Sequence, residues 1–101
     1  MAVGRIGPAH ATVAMSSFCL GLVLTAKGNY DEGKSMYAAS LRIQEQNLGP
    51  KAPEVARTLE EFAKLLRKMK SNQEAWAMEA RAKSIRAEAE YTVKVNTAGR
   101  H

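Results

Sequence analysis

The apolar positions of this chain fall in four runs at helical spacing, separated by turn signals. The first runs from about Ala9 to Lys27 and stops at Gly28-Asn29, a pair that ends helices because glycine tolerates a left-handed backbone. The second follows Asn29. It carries Asp31 and Glu32 in its first turn, where the helix dipole favours negative charge, and Met36, Tyr37, Ser40, Leu41 and Ile43 form its apolar stripe. Gly49-Pro50 breaks it. The third starts at about Pro53, which suits a first helical turn, and repeats Val55, Leu59, Phe62, Leu66 and Met69 at steps of three and four. The fourth starts near Asn72, read as its N-cap, and sets Ala75, Met78, Ala82 and Ile85 on one face. From Ala87 to about Tyr91 it is expected to extend free, and residues 92–101, with their β-branched positions and a glycine, are expected to form a flexible tail. No strand pattern persists. The predicted fold class is all-α: four antiparallel helices in two hairpins, forming one domain over residues 1–91.

The two hairpins repeat one another at an offset of 42 residues. Ile6-Gly7-Pro8 returns as Leu48-Gly49-Pro50, Val13-Ala14 as Val55-Ala56, and Leu24, Glu32, Met36, Ala38 and Ile43 as Leu66, Glu74, Met78, Ala80 and Ile85. Laying 6–47 over 48–89 gives nine identities, mostly at apolar or turn positions, so the match follows structure rather than composition. A period between about 20 and 50 residues marks a stacked-repeat architecture, and such stacks are mostly surfaces for other molecules.

These residues resemble tetratricopeptide repeats, in the longer 42-residue form seen in kinesin light chains and many bacterial proteins. That form reads Leu-Gly-Pro, Val-Ala, a first helix, Gly-x-Tyr, then a second helix ending in Leu-x-Ile. The first copy supplies Ile6-Gly7-Pro8, Val13-Ala14, Leu20, Leu24, Gly28-Asn29-Tyr30, Met36-Tyr37 and Leu41-Arg42-Ile43. The second supplies Leu48-Gly49-Pro50, Val55-Ala56, Leu59, Phe62-Ala63, Leu66, Ala75 and Ala82. The resemblance implies an α-solenoid fragment that binds proteins or peptides and performs no chemistry. Two departures stand out. Lys70-Ser71-Asn72 replaces the Gly-x-Tyr turn, and Glu79 and Lys83 stand where the family keeps an aromatic residue and a leucine for the next repeat to cover. A charged outer face suits a terminal, capping repeat, and the second copy looks like the last repeat of bacterial arrays.

Composition narrows the function classes. A chain of 101 residues makes one small domain with no room for a separate catalytic module. The net charge of +5 gathers in the second half, but its acids are interleaved and the aromatics sit at core-like spacings, so nucleic acid is not the expected partner. Residues 6–26 lack any charge, which raises a membrane span or a signal peptide (Arg5, then Phe18–Leu24). Pro8, the polar His10, Thr12, Ser16, Ser17 and Thr25, and the register with 48–68, argue against both. The lone Cys19 makes no internal disulfide and fits a reducing, cytoplasmic setting. Nothing in the pattern supports catalysis, a metal or a cofactor. His10 and His101 are placed beside the cysteine by no motif, and Gly4 and Gly7 are too isolated to cradle a phosphate. Tyr30 and Trp76 are read as packing residues of the second helices.

Two sets of residues remain as candidate sites. Val13, Leu20, Val23 and Leu24 are read as the packing side of the first helix, which leaves a second apolar stripe of Met15, Phe18, Cys19 and Leu22. The family often has groove-lining asparagines where Phe18 and Cys19 stand. The stripe has three readings: a seam to a second copy or to upstream repeats, a groove for an apolar partner segment, or ordinary burial within the chain. The resemblance also places Arg57, Glu60, Glu61, Lys64, Arg67 and Lys68 on the concave side of the third helix. They are either a solvated face held by pairs such as Glu60–Lys64 or, through Lys64, Arg67 and Lys68, a basic strip for an acidic peptide. The expected activity is that of a non-catalytic interaction module with a protein or peptide partner, as a homo-oligomer or a continuation of a longer array.

Overall fold

A computed structural model of the protein describes residues 8–98, with side chains described for 11–91. The four apolar runs become α1 (Pro8–Ala26), α2 (Tyr30–Leu48), α3 (Pro53–Lys68) and α4 (Asn72–Ala98), and among the described residues there is no strand. The helix ends follow the turn chemistry. After α1, Gly28 takes a φ of 86°, which lets the Asn29 N–H donate to the Leu24 carbonyl at 2.8 Å. The same turn closes α3: Lys70 takes a φ of 66° and the Ser71 N–H donates to the Leu66 carbonyl at 2.8 Å. The N-cap of α4 is Ser71 rather than Asn72, since Asn72 is already helical. The backbone of α4 is helical through Ala98, beyond the end expected near Tyr91. The remainder of the expected tail lies outside the described residues, as do Gly4, Gly7 and His101.

Each helix packs on the next, and α1 also touches α3. Helix α3 is therefore the centre. It is covered by α2 on one side and α4 on the other, and Val55, Ala56, Leu59, Ala63, Leu65 and Leu66 are sealed from solvent. One apolar cluster joins Phe18, Tyr37, Phe62, Leu65 and Leu66; a second joins Val55, Leu59, Ala82 and Ile85; Leu41 and Met78 lie against both. Small residues let each hairpin close. Gly21 and Gly33 are buried in the first, and their partners in register, Ala63 and Ala75, are buried in the second. A methyl group on Gly21 would sit 2.6 Å from the Tyr37 ring, so this aromatic lies directly on the α1 backbone. Two buried hydroxyls find acceptors: Ser40 Oγ donates to the Ala14 carbonyl at 2.8 Å, and Thr58 Oγ1 to Gln44 Oε1 at 2.6 Å.

Candidate functional site

The apolar stripe of α1 divides in two. Phe18 is only 5% exposed: its ring stands 5.8 Å from that of Tyr37, and the Arg57 guanidinium lies 5.0 Å above it. Of the three readings of the stripe, ordinary burial within the chain is the one that describes Phe18, because Tyr37 of α2 and Arg57 of α3 both reach over it. Met15, Cys19 and Leu22 are exposed, and Cys19 is a free thiol. In register these three positions correspond to Arg57, Glu61 and Lys64 on α3. Met15 and Arg57 line one shallow cleft with Glu54, Gln44 and Thr58, so this side of the molecule joins a neutral helix to a charged one.

The side of α1 expected to pack is instead open. Val13, Leu20 and Val23 are 50%, 49% and 52% exposed, while their partners in register, Val55, Phe62 and Leu65, are buried. The physical reason is the neighbour. Helix α2 lies on α3, and no described element lies on α1 in the corresponding place. Covering the exposed halves of these three side chains is worth about 2–4 kcal/mol. Leu24 alone of the expected set is more buried than exposed.

The polar set on α3 also separates. Glu60 and Arg67 are engaged with α4. Arg86 donates to both Glu60 oxygens at 2.6 and 3.0 Å, and Arg67 donates to both Glu79 oxygens at 2.8 and 2.6 Å. Hydrogen bonding from Arg86 holds the Glu60 carboxyl below the ordinary range, and that from Arg67 does the same for Glu79; both guanidiniums are raised in turn. The expected Glu60–Lys64 pair gives way to Lys64–Glu61 at 3.3 Å. Arg57, Lys64, Arg67 and Lys68 are all exposed, and the Arg67 guanidinium is already paired with Glu79. Burial pushes the Tyr37 phenol up from its ordinary value. Trp76 is 67% exposed, against the packing role expected of it, while Tyr30 does pack on the core.

Helix α4 thus carries charge where α2 carries packing residues. Where α2 presents Tyr37, Leu41 and Gln44 to its neighbour, α4 carries Glu79, Lys83 and Arg86. Among the described residues no helix is long and apolar enough to cross a membrane, and no three metal-ligating side chains gather. Sequence reasoning missed the open Val13/Leu20/Val23 face. The signal was the repeat itself, once each covered position of α3 is carried back 42 residues and the covering helix is sought. A family model described as the tetratricopeptide repeat matches residues 11–88, which takes in both hairpins. A search of curated proteins finds no match.

Proposed function

Because the chain belongs to the tetratricopeptide repeat family, whose members are generally protein-interaction modules, we propose that it is a non-catalytic scaffold that self-associates through its apolar first helix. One observation carries this reading: α1 has no charged residue and leaves Val13, Met15, Leu20 and Val23 about half exposed or more. Contiguous apolar surface of this kind marks an interaction site rather than a solvated face. An exposed Cys19 thiol suits a reducing, cytoplasmic setting. Light scattering after size exclusion, over a range of concentrations, tests the proposal. Masses above the 11.0 kDa of one chain are expected. An 11.0 kDa particle at every concentration would sink it.

A second reading has its own observation. Met15 and Arg57 line one cleft, and Cys19 and Leu22 stand in register with Glu61 and Lys64, an arrangement that suits a peptide apolar at one end and acidic at the other. Under this reading Lys64→Glu with Lys68→Glu weakens a salt-sensitive interaction without lowering thermal stability.

A further inference from the structure

The open face of Val13, Leu20 and Val23 is centred on a different sector of α1 from Met15 and Leu22, with the exposed Cys19 between them, and it carries the register positions of Val55, Phe62 and Leu65, which are buried on α3. We propose that this face receives the same face of a second copy, giving a closed, isologous pair. The proposal rests on the self-association reading above and specifies its surface and its stoichiometry.

What selects the occupant is charge. Helix α1 has no Asp, Glu, Lys or Arg from Pro8 to Ala26, and its one histidine, His10, lies in the first turn away from Leu20 and Val23, so two copies meet along the face without pressing fixed charges together. A head-to-tail stack would instead lay α4 of one copy on α1 of the next. Helix α4 presents Glu79, Lys83 and Arg86 in that position, and Glu79 and Arg86 are already held by Arg67 and Glu60. Pressing valine and leucine onto those pairs removes water from charged groups that the apolar face cannot repay with hydrogen bonds. The open-ended arrangement is therefore blocked at α4, and the self-complementary two-fold contact remains. A contact along one 19-residue helix is small for a protein interface, so a pair in the micromolar range is expected.

Sedimentation velocity on the full chain, from about 5 to 500 μM to bracket such an affinity, is the test. Wild type is expected to pass from one chain to two and to stop there. Val13→Glu with Val23→Glu is expected to weaken the pair by about a hundredfold or more, with helical circular dichroism retained at low concentration. Val13→Ala with Val23→Ala, which folds under milder change, is expected to weaken it by about tenfold. Met15→Glu with Leu22→Glu is expected to leave the mass unchanged. If the last variant dissociates the pair and the Val13/Val23 variants do not, self-association stands but this face is wrong. A mass that climbs beyond two chains overturns the closed pair. A single chain at every concentration overturns both readings.

Discussion

Helix α1 carries no charged side chain and helix α3 carries seven, yet α3 is the one that the fold buries. The two helices stand 42 residues apart in one repeat register. The difference teaches that apolar content does not decide burial; neighbours do. Helix α3 keeps its charges off the sealed apolar stripe, pairing Glu60 and Arg67 with Arg86 and Glu79 of α4, and both neighbouring helices close on what is left. Helix α1 offers apolar side chains nearly all round, but it has α2 on one side only, with a small contact to α3. The surplus is an unsatisfied surface, which is why function is sought there.

The same comparison is broken most forcefully by one substitution made twice. Val55→Ala removes two methyl groups from a sealed site and is expected to lose about 2–3 kcal/mol in urea unfolding. Val13→Ala, the identical change in register, is expected to lose less than about 1 kcal/mol in dilute protein. Equal losses would mean that α1 is covered within the single chain. If the pair proposed above forms, the Val13 loss grows with protein concentration and the Val55 loss does not.

Gly21 sharpens the contrast in a second way, because repeat two has Ala63 in its place. The added methyl of Gly21→Ala meets the buried Tyr37 ring at 2.6 Å, and the ring has no free space to move into. The expected net loss is about 1–2 kcal/mol, despite alanine's better helix propensity. In a Tyr37→Leu background the same change should cost much less. A Gly21→Ala protein as stable as wild type would show that the first hairpin crosses more loosely than the second.

Acid should separate the two ends of the stack. Glu60 and Glu79 have carboxyls held below their ordinary values by Arg86 and Arg67. A depressed value means stability that is present above the unfolded carboxylate range and is lost as pH falls through the folded one. Both side chains are partly exposed to solvent, which screens the pairs, so the effect is smaller than either loss above. Melting temperature is expected to fall between pH 6 and pH 3, and to fall less in Glu60→Gln with Glu79→Gln. An undiminished fall in that variant would assign the acid sensitivity to other carboxylates.

The four helices were legible because turn residues and the repeat agree: Gly28, Gly49-Pro50 and Pro53 each do locally what the period requires. The side on which Phe18 points was not, because burial there depends on Tyr37 and Arg57, which come from two other helices. The ion pairs failed for a related reason. Spacing along one helix suggests Glu60–Lys64, whereas the guanidinium that reaches Glu60 lies 26 residues away on α4. Periodicity identifies an apolar face; it does not say whether anything lies against it, and so Val13, Leu20 and Val23 were read as covered when they are open.

The smallest test compares the turns that close the hairpins. Gly28 and Lys70 are equivalent positions, both left-handed, at φ 86° and 66°, with matching hydrogen bonds from the residue that follows. A side chain in that conformation is strained by about 1–2 kcal/mol, and glycine escapes the strain while giving back part of it in unfolded-state entropy. Nothing lies within 4 Å of a methyl group on Gly28, so Gly28→Ala isolates the backbone strain and should lose about 1 kcal/mol. Lys70→Gly should gain up to about 1 kcal/mol, less a few tenths for a cation removed near the α3 C-terminus. Urea unfolding of the two variants should therefore move in opposite directions. A loss in both would mean that Lys70 contributes through its side chain, and that the second turn is held by more than the backbone geometry it shares with the first.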